Sequence, residues 1–200
     1  MKGHLPRSAS RMVARLLTAA LIGGVLIGLV WVAIAPPVHT LTALSKTGQR
    51  VGGFLGNAAD NVFVAPAMMT GLLSTFAIVC AILLWQYEYQ RGPLLVAVLW
   101  IGQLVAALAA TSIGVAVAHA RYGTADHDGV VLSPQNRVHY FVEAPPAFFG
   151  PHPAQLILTV VQPAALAALI WALFVVATPR EDLLSTPRGQ RVLEPSRHLG

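Results

Sequence analysis

The chain has 200 residues, 56% of them hydrophobic and only 10% charged, and its mean hydropathy is +0.65. Its 13 basic and 8 acidic side chains are too few to cover a soluble globule of this size, which excludes a cytosolic enzyme, a nucleic-acid-binding domain and a disordered tail. The pI near 10 comes from basic residues scattered singly, not from a basic stripe.

A tail at 1–15 carries Lys2, Arg7, Arg11 and Arg15, and a run at 16–35 follows with no Asp, Glu, Lys or Arg. A helix of about 20 apolar residues crosses the roughly 30 Å hydrocarbon core, so 16–35 reads as transmembrane helix 1. The run is longer than the apolar region of a signal peptide. Pro36-Pro37 follows the cleavage-like Ala33-Ile34-Ala35, so an uncleaved anchor is expected. The loop at 36–61 is rich in glycine (Gly48, Gly52, Gly53, Gly56), and Val38–Leu44 fits one strand or a short amphipathic helix. Asp60 or Asn61 is placed to cap transmembrane helix 2, at 62–87, with Pro66 near its first turn. This span holds the sole cysteine, Cys80, read as a small residue of the apolar phase.

A turn at 88–92 forces an antiparallel hairpin, and Pro93 suits the first turn of transmembrane helix 3, at 93–119. Trp85, Tyr87, Tyr89 and Trp100 sit near this turn, as amphipathic rings do at a membrane interface. The loop at 120–155 offers two strands, Val130–Leu132 and Val138–Val142, around Ser133-Pro134-Gln135-Asn136. The proline-broken stretch from Ala144 to Pro151 is expected to dock on the strands, on the membrane surface or on a partner. Transmembrane helix 4 is placed at 156–178, followed by a charged tail at 179–200. No run alternates with period two, which excludes a β-barrel.

The expected fold class is an all-α integral membrane protein: a four-transmembrane-helix bundle with a small external cap containing short β-strands. Nine of the Lys and Arg residues fall in the two tails and at Arg91, and four fall in the longer loops: Lys46, Arg50, Arg121 and Arg137. The positive-inside rule then predicts a multi-pass protein of the cell inner (plasma) membrane with both termini cytoplasmic.

Chemistry is thinly represented. His39, His119, His127, His139 and His152 lie on the predicted outer side, with Asp126 and Asp128 flanking His127. An external metal site is one reading. However, no pair has helical metal-ligand spacing and no cysteine lies beside them, so no metal ligands are assigned. Thr111 and Ser112 read as helix-packing hydroxyls, and there is no nucleotide-binding glycine loop. No catalytic residue and no cofactor are expected. The span interiors hold no charged side chain, and their polar candidates are Gln103 and Gln162. Gln162 precedes Pro163, which is expected to kink helix 4. A glutamine bonded to a neighbouring helix is the favoured reading over a binding site at a broken helix.

The strongest pattern is one of small residues spaced by four: Ala20, Gly24 and Gly28 in helix 1; Gly102, Ala106, Ala110, Gly114 and Ala118 in helix 3; Ala164, Ala168 and Ala172 in helix 4. Such faces let backbones approach closely in lipid, and serve either packing within the bundle or docking to another membrane protein.

The layout resembles an actinobacterial four-span membrane family of unknown function. Trp31 with Ala35-Pro36 matches its first span, Asp60, Phe63 and Gly71 its second, and Trp85, Arg91-Gly92-Pro93 and the small-residue stripe its hairpin and third span. The similarity covers about residues 16–178, and leaves the histidines, the long second loop and the tails unmatched. The layout is also similar to that of the mycobacterial Mce-associated lipid uptake coordinator LucB. That resemblance implies a non-enzymatic accessory subunit of a fatty acid or sterol importer, with permease or needle subunits and bilayer lipid as partners and no nucleic acid. It carries over no catalytic residues. Two alternatives stand beside it: a self-contained small transporter or channel, and a membrane-bound metal-dependent sensor or enzyme using the external histidines.

Overall fold

A computed structural model of the chain describes residues 7–87, 92–124, 126–133, 135–147 and 153–178. The element order is α1 (Arg7–Ile34), β1 (Val38–Leu44), β2 (Arg50–Phe54), α2 (Ala58–Trp85), α3 (Pro93–Tyr122), β3 (Val138–Glu143) and α4 (Pro153–Ala177). The chain is mostly helical. Its four helices are each long and apolar enough to cross a membrane, as a multi-pass membrane protein requires, and a small three-stranded sheet is added to them. The turn at 88–91 with Tyr89, Pro134, His152 and the tails at 1–6 and 179–200 lie outside the described residues.

The helices outrun the expected spans. α1 begins at Arg7 and includes Arg11 and Arg15, and α3 continues through His119 and Arg121 to Tyr122. α3 starts as expected, with extended Gly92 as N-cap and Pro93 in the first turn, where a missing N–H costs little. It stops at Gly123, whose φ of 84° suits glycine and lets its N–H bond to the His119 carbonyl. α2 begins three residues earlier than Asn61. Its N-cap is Asn57 with no side-chain cap bond, so neither Asp60 nor Asn61 caps it, and Pro66 falls inside the helix. Pro66 removes the N–H that the Val62 carbonyl would have accepted.

The most extensive helix contact is between α1 and α3. It is built on the small residues of both: Ala20, Gly24 and Gly28 are buried, as are Gly102, Ala106, Ala110, Gly114 and Ala118. A Cβ added at Gly24 would stand 2.7 Å from the Ala106 Cα, and one at Gly28 would stand 2.6 Å from the Ala110 carbonyl oxygen. One added at Gly102 would meet the Ala20 Cβ at 3.4 Å, and one at Gly114 the Trp31 ring at 3.0 Å. The partners advance together along both helices, so α1 and α3 run parallel, with backbone against backbone. Water supplies no drive for helix association in lipid. Close van der Waals contact must supply it, and a side chain at Gly24 or Gly28 would forfeit that contact.

α3 also packs on α4, and α4 on α2; α2 meets α1 and α3 less extensively. Two apolar cores result. Near the sheet, Trp31, Val32, Ala65, Met69, Leu73, Ala107 and Ala110 cluster. Trp31 is fully buried there, and its indole N–H donates to the Ala65 carbonyl at 2.7 Å. At the other end, Ala77, Ala81, Leu95, Leu99, Ala167 and Trp171 cluster. Trp85 packs edge-on against Trp171 and tilted on Phe174, with centroids 5.1 and 5.2 Å away.

At the other end of the bundle the strand order is β2-β1-β3, antiparallel throughout. Val38–Leu44 is therefore the central strand rather than a helix. β2 was not anticipated, because Val51-Gly52-Gly53 has low strand propensity; its pairing with β1 overrides that. Val130–Leu132 forms no strand, contrary to expectation. The first hairpin supplies the partner on one side of β1 and β3 occupies the other, so no edge of β1 is left for it. Of the proline-broken stretch, Ala144 packs on the Trp31 core and Ala147 is buried, which docks its described part on the molecule itself.

Leucine at Gly24 or Gly28 is expected to lower stability in detergent by about 1–3 kcal/mol or more, the usual cost of overpacking. Gly71 faces open space, and alanine there should leave thermal unfolding unchanged or slightly raised. Melting curves of the three variants check this. Trp31→Phe should cost about 0.5–1.5 kcal/mol through the lost indole donor, measured the same way.

Candidate functional site

Strand alternation gives the sheet two unlike faces. Val38, Thr40 and Thr42 of β1 point inward and are buried, and the register places Glu143, Phe141 and His139 beside them. The turn at Asp126–Gly129 lies against this inner face. The His127 ring bridges two strands: Nδ1 lies 3.2 Å from the Thr42 hydroxyl and Nε2 lies 3.1 Å from Glu143 Oε1. Thr40 donates to the same carboxylate oxygen at 3.1 Å. An ionised carboxylate only accepts, so Nε2 carries a proton, and a neutral ring then accepts the Thr42 hydroxyl at Nδ1. The ring packs on Phe141 with centroids 4.5 Å apart.

Arg50, at the start of β2, fastens the turn from outside. Its guanidinium donates to the carbonyls of His127 (3.1 Å), Asp128 (2.8 Å) and Val130 (2.8 Å). Asp126 completes the turn by accepting the Gly129 N–H at 2.8 Å. Sequence reasoning counted Arg50 only as a topological charge. The signal it missed was a fork of five donors facing a segment with no regular structure to satisfy its carbonyls.

These groups border a cavity of about 390 Å³ between the sheet and α2. Val38, Phe54, Val62 and Pro145 supply apolar wall, and Thr40, His127 and Glu143 supply polar atoms. Its size and lining suit a small amphipathic molecule. Hydrolytic chemistry is poorly served. Thr42 is 5% exposed and does not line the cavity. The ring also presents Nδ1, not Nε2, to the hydroxyl, the reverse of the serine-hydrolase arrangement.

The other histidines do not converge on it as metal ligands. His39 lies on the opposite face of β1, His119 on α3, and His139 packs on Phe141. Among the described residues no group of three or more His, Cys, Asp or Glu is placed to hold a metal ion.

The polar residues of the spans bond inward. Gln162 donates to the Ser74 hydroxyl of α2 at 2.9 Å, and Ser74 in turn donates to the Thr70 carbonyl. Gln103 is 2% exposed, inside the bundle. Thr111 bonds back to the Ala107 carbonyl at 2.8 Å. On α4 the four-residue series does not share one buried face: Ala164 is buried, but Ala168 and Ala172 are exposed, and Ala167 and Trp171 are buried instead. A step of four residues turns a helix about 40° past a full circle, so the series drifts off one face. α3 tolerates the drift because half of its span is buried, against 22% for α4.

The family model described as "Protein of unknown function (DUF2567)" matches residues 19–185. Uncharacterized proteins of Mycobacterium tuberculosis and Mycobacterium bovis are each 44% identical over 165 residues, covering 82% of this chain and 86% of the relative. An uncharacterized protein of Mycobacterium leprae is 40% identical over 166 residues, covering 83% and 81%. No solved structure matches significantly.

Arg50→Gln should free the turn at Asp126–Val130. Limited proteolysis is expected to cut there several times faster than in the parent chain, while cleavage elsewhere is unchanged.

Proposed function

The chain belongs to the DUF2567 family of proteins of unknown function, and on that premise we propose that it is a non-enzymatic accessory subunit of the plasma membrane, docking a partner through the outer face of its sheet. The observation that carries this reading is the composition of that face. Three cross-strand rows cover it: Val51–Ala43–Val138, Gly53–Leu41–Tyr140 and His39–Val142. Val51 is 49% exposed and Tyr140 61%. Apolar side chains beside an exposed tyrosine are what a protein partner buries.

The topology of this reading places both termini in the cytoplasm and the sheet outside, as the Lys and Arg bias requires. The small-residue faces of α1 and α3 are spent on each other, so they are not its docking surface. A Mce-type importer of fatty acids or sterols as the partner complex rests on the sequence resemblance alone, and the mycobacterial relatives agree with it only in lineage.

One observation favours a second reading, a self-contained small transporter. The carboxamide oxygens of Gln103, Gln155 and Gln162 are buried without a hydrogen-bond partner among the described residues. Such oxygens leave acceptors inside the bundle that a polar solute could use.

Aspartate at Val51 or Tyr140 should abolish co-purification of partner subunits from native membranes and leave thermal stability unchanged, since both side chains are exposed. Unchanged co-purification, or substrate flux through liposomes holding the purified chain alone, would refute the subunit reading.

A further inference from the structure

We infer that the cavity between the inner face of the sheet and α2 binds a small amphiphile with a primary ammonium head, held by Glu143. The polar side chains bordering this cavity are Thr40, His127 and Glu143. They form one cluster, because the Thr40 hydroxyl and His127 Nε2 both bond Glu143 Oε1 at 3.1 Å. Those bonds use up the side-chain donors. Thr40 has given its only proton, and the second ring nitrogen of His127 is taken by the Thr42 hydroxyl. The capacity left is for accepting: the lone pairs of Thr40 Oγ1 and of the carboxylate, whose Oε2 takes no hydrogen bond from the described residues. The matching ligand group is therefore a donor.

Charge narrows the class further. No Lys or Arg among the described residues lines the cavity. The undescribed positions between α3 and α4, at 125, 134 and 148–152, hold Ala, Pro, Phe, Phe, Gly, Pro and His, so the sequence places no Lys or Arg there either. The Arg50 guanidinium is bonded to the carbonyls of His127, Asp128 and Val130 and does not border the cavity. With a neutral His127 ring, the cluster carries the negative charge of Glu143. The Glu143 side chain is 35% exposed, so an apolar molecule seated over it would strip water from that charge and return nothing. An ammonium returns both the opposite charge and three donors. An alcohol supplies one donor and no charge, and a carboxylate or phosphate meets Glu143 with like charge. Val38, Phe54, Val62 and Pro145 supply apolar wall for the hydrocarbon part of the ligand. The site lies on the inner face of the sheet, so the inference is independent of a partner docked on the outer face.

The full-length chain in neutral micelles is titrated with hexylammonium, hexanol or hexanoate, with empty micelles as the blank, and binding is read by saturation-transfer NMR. Hexylammonium should bind saturably, hexanol more weakly and hexanoate not at all. Glu143→Gln, which keeps an oxygen to accept from Thr40 and His127, should weaken hexylammonium about tenfold or more and leave hexanol unchanged. An alkylammonium carrying a diazirine should label wild-type peptides containing Phe54, Val62 or Glu143, which tests the site even if the glutamine variant does not fold. No saturable binding of hexylammonium, hexanol or hexanoate binding as tightly, an affinity unchanged by Glu143→Gln, or labelling spread evenly over the chain would overturn the inference.

Discussion

Two helices lie in close contact over about three turns, Ala20 to Trp31 against Gly102 to Gly114, and most of the remaining architecture follows from that contact. Leucine-rich surfaces gain nothing over lipid tails by meeting each other, so an apolar bundle needs another source of cohesion. Here it is the removal of side chains. Gly24 and Gly28 bring α1 within Cβ reach of the Ala106 and Ala110 backbone, and Gly114 makes room for the Trp31 ring. With α1 fixed on one side of α3, the other side is free to receive α4, and α2 closes the ring against α4. Trp31 then ties α2 to α1 through the Ala65 carbonyl, next to the residue where Pro66 interrupts the helix ladder.

The same contact sets the position of the sheet. Only three residues separate the end of α1 from β1, and Ala35 still bonds back to the Trp31 carbonyl at 2.7 Å. Val38, the first residue of the central strand, is 1% exposed, and Asn61 of α2 holds the Pro37 carbonyl at 2.9 Å. The strand is thus rooted on two helices before it gathers partners on both edges. A sheet of three short strands is marginal alone. The His127 bridge and the Arg50 fork add a third layer by pinning a turn to its inner face, which leaves the outer face as the exposed one.

The four long helices were legible because apolar run length is a one-dimensional signal, and Pro93 in the first turn of α3 was legible from its place just after a turn. What the stripe touches was not legible, because spacing defines a face and not its occupant. Ala168 and Ala172 show the limit of the pattern: the same spacing as in α3, but on a helix whose narrower buried face is set by Trp171. The charges bound the expected spans but not the helices: Arg11, Arg15 and Arg121 all lie inside helices, which run on past their apolar segments. The polar site was the least legible part. Thr40, Thr42, Arg50, His127 and Glu143 come from three separated segments, and only the register of β1 with its neighbours assembles them.

The parallel approach of α1 and α3 can be tested directly by cysteine cross-linking in native membranes, on a Cys80→Ala background. A Cβ at position 102 would lie 3.4 Å from that of Ala20, close to the roughly 3.5–4.5 Å Cβ separation of a disulfide. Ala20→Cys combined with Gly102→Cys should oxidise rapidly to an intrachain cross-link at the mass of one chain. No cross-link, or one formed only between two copies of the chain, would contradict the contact on which this architecture rests.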